Sequence, residues 1–197
     1  MDRTIKLAQC AIFVALMIVS AYISIPTPFV PLTFQTVVAV LAGILLGPWC
    51  GSAAVAIYVL MGLIGFPVFA HGAGFVYVVN LTFGYLIGFI AGAFTAGLVS
   101  ARGKALSLRR AVVAALVGFA VNYLIGIPYF ACIWTFYMHN GELWKAIVVK
   151  NLLYMPKDLV LCVLAAALAV RVYPHMNRRS LRLDRRGKSA EKKGGDK

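Results

Sequence analysis

Between Lys6 and Arg171 the chain carries only two acidic side chains, Glu142 and Asp158. Glu142 sits in a polar stretch with Trp144 and Lys145 and calls for no special account. Asp158 does, because it stands in Met155-Pro156-Lys157-Asp158, directly ahead of the apolar run Leu159–Tyr173. An ionised carboxylate in a membrane-spanning segment costs roughly 2.5–3.5 kcal/mol on insertion scales, so it faces a cavity or a partner. Two readings stay open. Pro156 suits a first helical turn, and an aspartate there favours the helix dipole and satisfies free N–H groups, which makes Asp158 a cap. A carboxylate at the outward end of a helix, beside a cavity, is also a strong acceptor for a ligand's paired N–H donors.

Other polar groups stand in apolar surroundings. Thr33 and Gln35 open one apolar segment, Asn80 and Thr82 open another with Tyr85 one turn on, and Asn122 lies mid-segment. An asparagine in hydrocarbon needs a partner, and an interhelical hydrogen bond provides one at about 0.6 kcal/mol net, so a structural role is the default for Asn122. His71 and His139 fall in loops and read as bystanders. Several chemistries are excluded. There is no GxxxxGK[ST] phosphate loop, so the chain does not itself use ATP. No Ser/His/Asp or His-Glu constellation supports hydrolysis, Asp158 has no evident catalytic partner, and proton-coupled pumping wants more buried acids. We expect no enzyme activity and no cofactor.

The elements that must position these residues follow from composition. Of 197 residues, 62% are hydrophobic and only 13% charged, about half the charge of a soluble domain. That apolar surface exceeds what one soluble core of this size hides, so the chain is read as an all-α integral membrane protein. A helix crossing a ~30 Å hydrocarbon core needs about 20 residues. Six spans are predicted: Leu7–Ile25, Phe34–Leu46, Gly51–Ile64, Thr82–Ser100, Ala111–Met138 and Leu159–Tyr173. The second and third are short. Pro26, Pro28 and Pro31 end the first span, since proline cannot continue a helix. Pro128 is a candidate kink in the fifth. Gly65–Val79 reads as an ordered or re-entrant loop, and 139–154 as an interfacial helix. Leu7–Ile25 is longer than a signal-peptide core and is expected to be retained. The membrane domain covers 1–176. A basic tail, 177–197, is expected to be disordered.

The N-terminal stretch, Arg102–Arg110 and the chain after Val170 hold 16 of the 19 Lys and Arg residues. With six spans all three lie on one side, and the excess of Lys and Arg makes that side, with both termini, cytoplasmic. Since no aromatic residue is interleaved with the tail charges to stack on bases, the tail is topogenic and not a nucleic-acid site. Small residues recur four apart: Ala11 and Ala15; Ala39, Gly43 and Gly47; Gly84, Gly88, Gly92 and Ala96; Gly118 and Gly126 around Asn122. Such stripes let helix backbones approach closely in lipid, either inside the bundle or against another membrane protein. Cys10, Cys50, Cys132 and Cys162 show no CxxC or Cys/His spacing, and all four are expected to be buried small hydrophobes.

Several segments together resemble a known family. Ile25-Pro26, Thr33-Phe34-Gln35-Thr36 and Leu41-Ala42-Gly43-Ile44-Leu45-Leu46-Gly47-Pro48 are followed in order by Tyr58-Val59-Leu60-Met61-Gly62-Leu63-Ile64-Gly65-Phe66-Pro67-Val68-Phe69-Ala70. Thr82-Phe83-Gly84-Tyr85-Leu86-Ile87-Gly88-Phe89 and Pro156-Lys157-Asp158-Leu159 complete the pattern. Over roughly residues 7–172 the chain resembles the biotin-specific S component of energy-coupling-factor (ECF) transporters, the BioY family. The resemblance implies a six-helix S-component bundle in the bacterial plasma membrane that binds biotin near its outward face. It implies partners too, a transmembrane coupling subunit and two cytoplasmic ATPases that alone use ATP.

Site roles follow from the same likeness. Asp158 matches the acid of the family's Pro-x-Asp motif, which takes the ureido N–H groups of biotin. Asn80 and Tyr85 lie in the family's binding segment, although it often reads Gly-Pro-Thr-Gly-Gly-Tyr where this chain has Asn80-Leu81-Thr82-Phe83-Gly84-Tyr85. Phe34, Phe69, Tyr77 and Tyr85 are candidates to wall the rings, and Lys150 or Lys157 to meet the carboxylate. Ala11 and Ala15 resemble the AxxxA patch by which S components dock on the coupling subunit. The alternatives are an S component for another vitamin, a solitary membrane transporter, an intramembrane enzyme or a structural membrane protein.

Overall fold

The structure is a computed structural model that describes residues 3–25, 32–70, 72–101, 106–138, 142, 147 and 155–176. Among them are six α-helices: α1 (Arg3–Tyr22), α2 (Gln35–Leu46), α3 (Pro48–Ile64), α4 (Phe83–Ser100), α5 (Leu108–Cys132) and α6 (Met155–Met176). Four stretches are long and apolar enough to cross a membrane: Thr4–Tyr22, Phe83–Ser100, Leu108–Tyr137 and Met155–Met176. The fifth predicted span thus runs through Pro128 and continues as a π-helical turn over Ile133–Tyr137. At 12 and 17 residues α2 and α3 are the short pair; at 1.5 Å per residue α2 is only about 18 Å long.

Local chemistry sets the boundaries. Gly47, at φ 83°, turns the chain between α2 and α3, and Pro48 takes the first position of α3, where its missing N–H is harmless. The turn is tight enough that a Cβ on Gly51 would lie 2.6 Å from the Ala42 carbonyl oxygen. Gly65 ends α3 in the left-handed region at φ 116°. Its N–H bonds the Gly62 carbonyl while Phe66 N–H reaches Met61, a Schellman closure. Ser107 caps α5 by accepting from Arg110 N–H at 3.4 Å.

One departure from an all-helical reading is a small ribbon. β1 (Ser24–Ile25) pairs antiparallel with β2 (Leu32–Thr33), Ser24 facing Thr33. The two strands flank the proline-rich segment; Pro26, Pro28 and Pro31 themselves lie outside the described residues. The Gly65–Val79 loop is ordered where described. Gly74 N–H bonds back to the Gly62 carbonyl at 2.7 Å, and Phe75–Val79 forms a 3-10 turn. His71, His139, most of the predicted interfacial helix and the tail 177–197 fall outside the described residues.

α4 and α5 form the tightest pair, antiparallel through small residues. A Cβ added at Gly84 would strike Tyr129, one at Gly88 would strike Asn122, and one at Gly92 would lie 2.7 Å from the Gly118 carbonyl oxygen. Gly43 of α2 meets the Ala93 backbone of α4 in the same way. The α2 and α4 stripes are therefore internal packing surfaces, as association in lipid requires. α1 differs: Phe13 and Met17 face the core, while Ala11 and Ala15 are exposed beside Ile12, Leu16 and Val19.

The bundle has two distinct ends. One holds the start of α1, the α2–α3 turn and the ends of α4 and α6, around a cavity of about 280 Å³ lined by Lys6, Gly47, Ser100, Ala101, Tyr173 and Met176. Both described termini thus share one end. The start of α6 lies at the other. Of the cysteines expected to be buried, only Cys162 is; Cys10 and Cys50 are half-buried and Cys132 is exposed. Helix rotation within the apolar runs, which hydropathy does not fix, turns them outward.

Candidate functional site

Asp158 is buried, at 7% exposure, in the first turn of α6. Its Oδ2 accepts from the Tyr123 hydroxyl of α5 at 2.8 Å and from Thr36 Oγ1 of α2 at 3.2 Å. Three helices therefore converge on one carboxylate oxygen. Oδ1 is different. It lies 2.8 Å from Lys157 Nζ, yet it is a buried acceptor without an aligned hydrogen bond. Lys157 is also tied elsewhere: Nζ donates to the Thr33 carbonyl at 2.9 Å and sits 5.7 Å from the centre of the Phe34 ring. A buried charge this close to a cation is retained because its partner compensates the lost hydration.

Aromatic rings surround the pair. Tyr85 meets Tyr123 edge-on with ring centres 5.6 Å apart, and Phe119 lies behind Tyr123 at 4.8 Å. Gly126 allows this, since a Cβ there would lie 2.4 Å from the Tyr85 ring. Phe34 is exposed, at 41%.

A second polar chain runs from Gln35, the neighbour of Thr36. Gln35 Nε2 donates to the Tyr58 hydroxyl at 2.7 Å, and Tyr58 donates to the Val68 carbonyl at 3.2 Å. This pins the loop one residue before Phe69. The Phe69 ring then packs between Tyr58, at 5.7 Å, and Tyr77, at 4.5 Å, over Gly62, where a Cβ would be 2.1 Å from its ring. Thr82 spends its hydroxyl proton on Asn80 Oδ1 at 2.9 Å, so Tyr77, 3.1 Å away, is the donor to Thr82 Oγ1. Burial pushes the Tyr77 phenol above its ordinary range, which keeps that proton in place. Asn80 Oδ1 also accepts from Thr82 N–H at 3.0 Å, a turn that starts α4.

Of the residues singled out in the sequence, the structure brings Asp158, Lys157, Phe34 and Tyr85 together at one end of the bundle. Phe69 joins them through Gln35 and Tyr58. The Asn80 side-chain oxygen is engaged in its own turn. Lys150 lies outside the described residues. The sequence reading missed Thr36, Tyr58 and Tyr123. A tyrosine hydroxyl in mid-span is the signal that would have found the last two, because a buried phenol needs a partner. Among the described residues no cluster of three or more His, Cys, Asp or Glu side chains is arranged to hold a metal ion.

The geometry gathers a buried carboxylate, a lysine and aromatic side chains at one end of the bundle. One carboxylate oxygen is held by two hydroxyls, the other is ion-paired with Lys157 at 2.8 Å, and the rings of Tyr123 and Tyr85 lie close by.

Comparison with known proteins bears on this. The model of the BioY family matches residues 1–178. The Thermotoga maritima protein "Biotin transporter BioY" is 38% identical over 168 residues, covering 85% of this chain and 95% of its own. A Lysinibacillus sphaericus relative, "Probable biotin transporter BioY", is 35% identical over 173 residues, covering 87% and 88%. Among solved structures, the S-component for biotin from an ECF-type ABC transporter superposes with a TM-score of 0.63 at 22% identity, over 87% of this chain and 94% of that one. FolT bound with folic acid superposes at 0.52 with 19% identity, over 82% and 90%. Proteins with these two ligands share the fold, so the fold alone does not choose between them.

Proposed function

The chain belongs to the BioY family, and from that premise we propose that it is the biotin-capturing S component of an ECF-type uptake transporter. It is a multi-pass membrane protein and a transporter, not an enzyme.

The observation that carries the site assignment is Asp158 Oδ1, buried and without an aligned donor, while Oδ2 is held by Tyr123 and Thr36. Biotin offers a ureido group with two N–H donors and a carbonyl, an apolar bicycle and chain, and a carboxylate. A ureido N–H directed at Oδ1 makes a charge-assisted hydrogen bond, worth about 1.5–3 kcal/mol. Tyr85 and Phe34 flank the bicycle. Phe69, carried on the pinned loop, closes the far wall, and Asn80 shapes the turn that sets Tyr85. We assign Lys157 to Asp158 as its counter-ion. The valeryl chain separates ureido group from carboxylate by far more than the 2.8 Å between Nζ and Oδ1, so one ammonium does not serve both ends of an extended ligand. The carboxylate then points toward the mouth.

On this reading the Asp158 end faces outward and both termini face the cytoplasm. Ala11 and Ala15, exposed on α1, are the surface for the transmembrane coupling subunit, whose two ATPase partners drive release. Titration of the purified chain with biotin, thiamine and riboflavin tests the ligand. Saturable binding of biotin alone is expected, and binding of another vitamin in its place would overturn the biotin reading. Asp158→Ala, compared in the same assay, tests the site: full biotin affinity in that variant would leave the ligand standing and remove the assignment.

A further inference from the structure

Two of the four cysteines are neighbours at the end of the bundle away from Asp158. Cys10 lies on α1, and Cys50 is the third residue of α3, just past the Gly47 turn. Cys10 Sγ is 3.6 Å from the Cys50 carbonyl oxygen, across the packed α1–α3 contact. Neither is in a disulfide, and both are half-buried, in contrast to the sealed Cys162. Gln9 and Gly47, each near a member of the pair in sequence, line the 280 Å³ cavity at this end. A thiol is a weak hydrogen-bond donor, so its contact to a carbonyl is easily given up.

We propose that Cys10 and Cys50 form an oxidisable dithiol, a covalent modification site whose disulfide ties α1 to α3. The oxidant class is a peroxide. One thiol sulfur attacks the O–O bond of hydrogen peroxide; an S–O bond forms and the departing oxygen leaves as water. The second thiol then attacks that sulfur; the S–S bond forms and the sulfenic hydroxyl leaves as a second water. Two thiols are oxidised to one disulfide, and one hydrogen peroxide is reduced to two waters. Ala11 follows Cys10 directly, so the bond fixes the helix that presents Ala11 and Ala15. If this end meets the reducing cytosol, as proposed above, the pair rests as thiols and is restored there after oxidation.

The test uses the full chain in detergent or lipid discs, treated with hydrogen peroxide, alkylated after unfolding, digested and mapped by mass spectrometry. The expected product is an intrachain Cys10–Cys50 peptide link, with Cys162 still alkylated. Cys10→Ser and Cys50→Ser each abolish the link and leave the remaining thiol as a sulfenic acid that dimedone traps. Biotin binding is unchanged in both variants, since the pair lies at the opposite end from Asp158. No Cys10–Cys50 link in the wild-type chain under conditions that oxidise a free thiol would overturn the proposal. So would links formed only between chains, for instance through the exposed Cys132.

Discussion

The two oxygens of Asp158 have different neighbours, and that asymmetry makes the site testable one atom at a time. Tyr123 and Thr36 hold Oδ2 at 2.8 and 3.2 Å, fixing the plane in which Oδ1 is offered. Removing a donor to a charged group costs about 1.5–3 kcal/mol, and every 1.4 kcal/mol or so is tenfold in affinity. Tyr123→Phe should therefore weaken biotin binding by roughly 10- to 150-fold, and Thr36→Val by less, because its bond is the longer one. Equal and negligible losses in equilibrium titrations would mean that the carboxylate is not oriented by these hydroxyls. Phe69 gives an independent check. Its ring occupies the space where a Gly62 side chain would stand, 2.1 Å from an added Cβ. Gly62→Ala must push the ring off its seat, and faster biotin release measured by chase is expected. Asp158 and Lys157 were legible in the sequence because charge in an apolar run demands an explanation. Thr36 and Tyr123 were not. A threonine in the first turn of a helix and an aromatic beside Asn122 look ordinary until α2, α5 and α6 meet around one carboxylate.

At the level of elements, the α4–α5 seam joins two kinds of contact. Gly88, Gly92 and Gly118 let the backbones touch, with a Cβ at Gly88 only 2.7 Å from the Asn122 carbonyl oxygen. Over-packing of this kind costs about 1–3 kcal/mol, so Gly88→Ala should lower the melting temperature of the detergent-solubilised protein. Asn122 stands in the same seam, 2% exposed, and neither atom of its amide has a hydrogen-bond partner. A buried, unsatisfied amide costs about 1–3 kcal/mol. Asn122→Ala should therefore leave the melting temperature unchanged or raise it, and it should not rescue Gly88→Ala, because the clashing backbone oxygen remains. A marked fall on Asn122→Ala would show that the amide has a partner in the working protein. Glycine spacing in the sequence announced that such seams exist and left open whether they lay inside the bundle or on a docking surface. Only the contacts assign the α2 and α4 stripes to the interior and leave Ala11 and Ala15 outside. The β1–β2 ribbon had no sequence signal, since two-residue strands are too short to carry a periodicity.

For the whole molecule, the chain's charge is sorted by end. Lys6 and Tyr173 line the cavity where both described termini meet, and Arg109 and Arg110 begin α5 close to the end of α4. At the other end Lys157 is the one described lysine or arginine, and Asp158 neutralises it at 2.8 Å. Basic residues in short loops hold those loops on the cytoplasmic side. A cation cancelled by its neighbour does not oppose that orientation, so the site's own chemistry is compatible with facing outward. Ser107 and Val76 report on the two ends, because α4 lies between them and both are exposed. With Cys10→Ser, Cys50→Ser, Cys132→Ser and Cys162→Ser as background, Ser107→Cys should react with a membrane-impermeant maleimide only in inside-out vesicles. Val76→Cys should react only in right-side-out ones. The reversed pattern would invert the orientation and place Asp158 toward the cytoplasm, which capture of biotin from outside does not tolerate. Labelling of both from one side would mean that α4 does not cross the bilayer, and six crossings would then be wrong.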